Sequence, residues 1–226
     1  TSVAVIGASR QPGTVGYQLI ENLKSTAKAS GLSPSDRIFP VNPSAETVAG
    51  MDSFASIADA TTALQTRSVS SDDEGDAAAS GTVAGPSNER TIDLAIVAVR
   101  AELVEKIVTE CAGAGVRGLL IITTGFSEST SDGGTRERRL VELARANGMR
   151  LIGPNAFGLI NTSGAVGLGA VFHRIPVIAG RVGLVSESGP LGAAVLEQLR
   201  VVGVGISSFV GIGNRSDVSV NDLLDY

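Results

Sequence analysis

The 226-residue sequence has no tryptophan, one cysteine and one histidine. A single thiol, Cys111, excludes an intrachain disulfide framework and fits a reducing compartment, so the cytoplasm is the expected location. No apolar run approaches the roughly 20 residues that a bilayer-spanning helix needs, so no membrane is expected as partner. Lys and Arg nowhere cluster, and the formal net charge is -5. Nucleic acid is therefore not expected as a partner, because a phosphate backbone is bound by cations gathered on one face. No leader segment is expected either, because an apolar strand begins at once after Thr1. The last residues, "NDLLDY", read as the opening turns of a helix, so the chain is expected to be part of a longer protein.

What is there is glycine and aliphatic residues: 28 Gly and 43% hydrophobic residues against only 4% aromatics. That profile suits α/β architecture, with Val/Ile/Leu strands joined by tight turns. Apolar runs predict strands at 3–6, 37–41, 93–99, 118–123, 150–152, 182–185 and 206–212. Apolar residues at helical spacing predict helices over 16–28, 101–114, 135–147 and 191–202. Strands alternating with helices imply right-handed βαβ units and a parallel sheet. The expected fold is a Rossmann-like domain over 1–155, a connector over 156–179, and the start of a second, incomplete domain over 180–226. Residues 66–91 are rich in Ser, Gly, Ala and acids with little to bury, and read as a disordered surface insertion.

The first strand runs into "GASRQPGTVG", residues 7–16. Gly7 lets the backbone turn and approach a ligand. Ser9 offers a hydroxyl, Arg10 a cationic fork, and the helix that follows presents free N–H groups at its positive end. The alternative is a tight turn that binds nothing. A dinucleotide fingerprint is absent, because the glycines stand at 7, 13 and 16. The second strand ends in "PVNP", with Asn42 and Pro43 where a nicotinamide enzyme carries an acid for the ribose. A nicotinamide-dependent oxidoreductase is the third-ranked reading for those reasons. No G-x-x-x-x-G-K-[ST] triphosphate loop occurs either. Further polar loops end the other strands: "AVRAE" (98–102), "ITTGFSE" (122–128) and "GPNAFG" (153–158). Five such loops along one sheet edge point to a long ligand lying across it.

Taken in order, "SVAVIGASRQPGTVG", "IFPVNP", "DLAIVAV", "IITTGF", "GMRLIGPNAFGLIN", "GRVGLVSESGPLG" and "FVGIGNRSDVSVNDLLDY" resemble the NDP-forming acyl-CoA synthetases. That superfamily includes succinyl-CoA synthetase α subunits, ADP-forming acetate–CoA ligases and the ligase-like region of Pat-type protein acetyltransferases. The resemblance implies a CoA-binding domain followed by part of a flavodoxin-like ligase domain. It implies CoA or acyl-CoA contacts at Gly7, Ala8, Ser9, Arg10 and Gln11, with Asn42 and Pro43 near the adenine and ribose. Val99 and Arg100 would lie beside the nucleotide, although Arg100 replaces the usual Pro. Ile122, Thr123 and Thr124 would meet the pantetheine arm, and Asn155 the thiol end. Ser188 and Gly189, at a helix N-terminus, would hold a phosphoryl group, and an ordinary helix cap is the alternative there. Pro190 stands in that helix's first turn and lacks an N–H.

The family chemistry needs a phosphorylated histidine, expected downstream of this chain, together with an ATP-grasp domain or subunit that binds ATP or ADP and magnesium. His173 lies outside the matching motifs and reads as a connector residue; no catalytic residue is assigned within the chain. Cys111 reads as a small buried residue, and the usual Cys of "GPNC" is Ala156. Glu128, Glu187 and Asp217 read as loop or surface charges. Ala193 stands where succinate enzymes hold a carboxylate-binding tyrosine, which favours another short-chain carboxylic acid. Two readings follow: part of an acid–CoA ligase, with homo-oligomerisation open, or a non-catalytic acyl-CoA sensor fused to an acetyltransferase domain.

Overall fold

The computed structural model describes residues 1–71, 90–129 and 131–225. Most of the expected insertion, 72–89, lies outside the described residues. Its first part differs from expectation, because helix α2 (Ile57–Ser71) continues to Ser71.

Five strands form the first sheet: β1 (Val3–Ile6), β2 (Ile38–Val41), β5 (Leu94–Val97), β6 (Gly118–Ile121) and β7 (Arg150–Ile152). A small hairpin, β3 (Thr47–Val48) and β4 (Met51–Asp52), follows β2. The sheet order is β2-β1-β5-β6-β7, with every pair parallel. Strand order therefore reverses between β1 and β5, which is where an open α/β sheet opens a crevice at its carboxyl edge. Alternation along β1 sorts its side chains to two layers. Val3 and Val5 pack with Leu19, Ile20, Leu23 and Ala27 of α1 (Val15–Ala29). Ala4 and Ile6 pack with α2, α3 (Ala101–Gly113) and α4 (Gly133–Ala146) through Leu64, Val104, Val108 and Leu140. Cys111 is fully buried in that second layer, and burial pushes its thiol pKa up to about 12, so it is a packing residue.

The stretch 156–179 is not a plain connector. It carries β8 (Gly158–Asn161) and β9 (Leu168–Val171), which join β10 (Ala179–Ser186) and β11 (Ile206–Gly211) in a mixed sheet of order β10-β11-β8-β9. Only four residues long each, these strands carry little pattern of their own and are held by pairing. β8 runs antiparallel to both β9 and β11, and β11 lies more than 40 residues downstream. β9 then packs on α1, where Leu168 and Ala170 join the first-domain core and Asn22 Nδ2 donates to Val171 O at 2.7 Å. α5 (Gly189–Val201) covers the mixed sheet, and a short α6 (Val220–Leu224) follows β11. No described helix is long and apolar enough to cross a membrane.

Asp217 corrects a second expectation, since it is 6% exposed rather than a surface charge. Its carboxylate accepts the Leu151 N–H at 2.9 Å and pairs with Arg145 of α4 at 2.6 Å and Arg150 of β7 at 2.9 Å. Burial alone would raise its pKa, but the Leu151 N–H and the two guanidiniums together hold it below the ordinary carboxylate value. A depressed folded-state pKa contributes stability that is complete above the unfolded value of about 3.9 and is lost as pH falls through the folded value. Asp217→Asn should therefore lower stability by about 1–3 kcal/mol at neutral pH and flatten the acid limb of Tm against pH. Thermal unfolding from pH 7 to pH 3 reads both; an unchanged acid limb would remove Asp217 from this role.

Candidate functional site

The five loops at the carboxyl edge of the first sheet touch one another in the order of the strands. Asn42, after β2, donates through Nδ2 to Ala8 O at 2.7 Å and accepts the Ser44 N–H at 2.8 Å. Gly7, after β1, has φ +93°, and a Cβ on it would stand 2.3 Å from Ala98 O, after β5. Thr123, after β6, donates through Oγ1 to Val99 O at 2.8 Å. Asn155, after β7, donates its N–H to Thr123 O at 2.9 Å. Thus Gly7, Ala8, Asn42, Val99, Thr123 and Asn155, with their neighbours Ile122 and Thr124, form one continuous edge.

Polar groups are left open along that edge. Thr14 is the N-cap of α1 and makes no capping bond to it, and the first turn holds no acid. Thr14 Oγ1 instead donates to Gln11 O at 2.8 Å, while Ser9 Oγ accepts the Gln11 N–H at 3.1 Å. The first N–H groups of α1 are thereby left for a ligand. Arg10 and Arg100 are exposed, and their guanidiniums make no hydrogen bond or ion pair among the described residues. Arg100 is the N-cap of α3, again without a side-chain capping bond. Gln11 and Pro43 are exposed as well. A glycine-lined backbone approach, an uncapped helix start and unpaired guanidiniums fit a phosphate-bearing ligand such as coenzyme A.

The second station lies beyond β7. Ser188 is the N-cap of α5, where its Oγ accepts the Leu191 N–H at 3.4 Å. Ser186 Oγ donates to Ser188 O at 2.7 Å. Gly189 lies against Phe157, whose ring carbon would be 2.5 Å from a Cβ at that position. Because Phe157 is two residues beyond Asn155, the α5 N-terminus adjoins the end of the first-sheet edge. His173 is exposed and stacks on Phe157 with centroids 5.7 Å apart, inside an aromatic group with Phe172. Glu187 pairs with Arg215 at 2.7 Å, both on the surface.

One group was not singled out by its sequence. Asn214, in the loop after β11, brings Nδ2 to Glu128 Oε2 at 2.6 Å and to Ser127 Oγ and Glu137 Oε2, both at 3.1 Å. Its Oδ1 accepts Asn155 Nδ2 at 3.3 Å. Glu137 is 8% exposed and also accepts the Ser127 N–H and the Ser216 hydroxyl. Glu128 is more than a loop charge: partial burial opposes its ionisation, but the Asn214 amide and the Phe126 and Gly125 N–H groups bring its pKa down to about 2. The only sequence signal was the run "GIGN" at a strand end.

A doubly wound sheet with an anion-ready carboxyl edge at its switch point defines a nucleotide- or coenzyme-binding domain. The chain belongs to the CoA binding domain family, whose sequence model matches residues 1–162; a succinyl-CoA ligase-like flavodoxin domain matches 179–226. It is 33% identical over 224 residues to the α subunit of acetate–CoA ligase (ADP-forming) II of Pyrococcus furiosus, covering 99% of this chain and 41% of that one. Against acetate–CoA ligase (ADP-forming) I of Archaeoglobus fulgidus the identity is 34%, covering 99% and 27%. Among solved structures, acetyl-coenzyme A synthetase 1 of Candidatus Korarchaeum cryptofilum, described as dinucleotide forming and determined with phosphate and ADP, superposes with a TM-score of 0.78. It is 29% identical, and the match covers 99% of this chain and 40% of that one. The chain thus spans less than half the length of these relatives.

The close approach at Gly7 is testable by stability. Gly7→Ala meets both a positive φ and the Ala98 carbonyl, and should destabilise by about 2–4 kcal/mol. Gly13→Ala shares the positive φ (+86°) but has nothing within 4 Å of a Cβ. It should lose only about 1–2 kcal/mol. Equal losses in urea titrations of the two variants would contradict the contact.

Proposed function

We propose that the chain is the CoA-holding part of an ADP-forming acid–CoA ligase, which interconverts acyl-CoA, phosphate and ADP with carboxylic acid, CoA and ATP. The carrying observation is the unbroken edge from Asn42 through Asn155 to the N-terminus of α5. Along it, Gly7, Ala8, Ser9, Arg10 and Gln11 receive the phosphate end of CoA, with Asn42 and Pro43 beside the adenine and ribose. Val99 and Arg100 flank the nucleotide, and the free Arg100 guanidinium adds a second cation where the family has Pro. Ile122, Thr123 and Thr124 line the path of the pantetheine arm, and Asn155 meets its thiol end. Ser188 and Gly189 form the phosphoryl station, one loop further on. The phosphohistidine and the magnesium-dependent ATP-grasp site belong to a domain or subunit outside this chain, in the cytoplasm. The partner acid is a short-chain one other than succinate, since Ala193, packed against the cluster of Leu196 and Phe209, stands where succinate enzymes hold a carboxylate-binding tyrosine.

A second reading has one observation in its favour. Pro190 occupies the first turn of α5 and removes an N–H from the phosphoryl station. A weakened station suits an acyl-CoA sensor, fused to an acetyltransferase domain, that binds without turning over. Phosphate-dependent formation of ATP from ADP and acetyl-CoA by the full-length protein separates the two, because a sensor shows none.

Isothermal titration tests the binding common to both. CoA should bind and NADH should not; Arg10→Ala should weaken CoA about tenfold, the loss of one charge-assisted contact. Unchanged affinity in that variant would remove Arg10 from the site, and NADH binding would overturn the proposal.

A further inference from the structure

We infer that Asn214 is a positioning residue that fixes the side chain of Asn155 with its carbonyl oxygen, not its amide nitrogen, offered to the ligand. This rests on the CoA reading above and deepens it. A carboxylate is acceptor only, so the NH2 group of Asn214 must face Glu128 and Glu137, at 2.6 and 3.1 Å. Its two protons are then committed, and its Oδ1 must turn the other way, toward Asn155. An amide oxygen there requires the NH2 of Asn155, and the 3.3 Å contact provides it. The remaining atom, Asn155 Oδ1, accepts no hydrogen bond among the described residues. It is also no buried orphan, because no buried side-chain oxygen or nitrogen lacks a partner there. It is an open acceptor.

The polarity is set from outside the edge and passed through two neutral amides. Glu137 is buried and held by Ser127 and Ser216, so it does not swing away. Glu128 stays ionised through the physiological range, held by the loop N–H groups of Gly125 and Phe126. The backbone of Asn155 is pinned as well, with φ +57° and its N–H on Thr123 O. Only χ rotation remains free, and Asn214 removes it. The acceptor so presented selects a hydrogen-bond donor from the ligand's reactive end, namely a thiol S–H or a pantetheine amide N–H, over a second acceptor.

The test separates the two halves of CoA, using the full chain, CoA itself and 3′-phospho-ADP, which lacks the pantetheine arm. In Asn214→Ala, CoA should bind about tenfold more weakly while 3′-phospho-ADP binds within twofold of wild type. Asn214→Ser keeps one donor for the carboxylates, so it preserves folding, but is too short to reach Asn155; it should give the same split. Unchanged CoA affinity in a folded variant, or equal losses for both ligands, would overturn the positioning role. Wild-type protein that binds neither ligand would instead overturn the CoA reading itself, leaving the two failures distinct.

Discussion

The near-contact of Gly7 with the Ala98 carbonyl is the constraint on which the rest of the edge depends. With any side chain at position 7, the loops after β1 and β5 would be forced apart at the point where strand order reverses. Gly16, in the first turn of α1, repeats the demand nine residues later, since a Cβ there would stand 2.1 Å from Gly7 O. The helix start is thus pressed directly onto the turn, beside the crevice. Once these backbones meet, Asn42 on one side and Thr123 on the other can reach their neighbours' carbonyls, and the edge becomes a single surface.

A second set of contacts joins that surface to the mixed sheet. The Phe157 N–H donates to Gly211 O, and its ring lies against Gly189 and the aromatic group of Phe172, Phe209 and His173. Asn214, Ser216 and Asp217 return from the far end of β11 to α4, β7 and the loop after β6. These are polar, specific and partly buried links, whereas the exposed face of α5 shows Leu191, Val201 and Val202 to solvent. The two units are therefore joined in two ways, by these hydrogen bonds at the edge and by Leu168 and Ala170 of β9 packed into the apolar core beside α1.

Much of this was legible in the chain itself, because the signals were local. The strands "VAVI" and "RLI" fall where apolar runs predicted, and the parallel sheet followed from their alternation with helices. The glycines at 7 and 16 announced a tight turn. What escaped notice depends on partners remote in sequence. β8 and β9 are four-residue runs that become strands only through β11 and α1. Asp217 reads as a loop or surface charge until folding brings Arg145 and Arg150 around it, and Glu137 gives no signal before Ser127 and Ser216 close on it. Helix α2 was hidden because threonine and serine, which favour turns and caps, fill its second half.

The amide relay also explains why acids stand so near an edge built for anions. Glu128 and Glu137 would repel phosphates that came close, yet each holds an oxygen on the Asn214 amide at the β6 and β7 end of the edge. Each accepts hydrogen bonds from N–H and O–H donors and makes no ion pair among the described residues. An arginine in the same role would leave a positive charge beside the reactive end of the ligand and draw phosphates there. Two neutral amides instead pass on orientation without adding net charge. In the proposed CoA complex the cations at the β1 and β5 loops would face the nucleotide's phosphates, and the thiol end would meet an amide dipole of fixed sense.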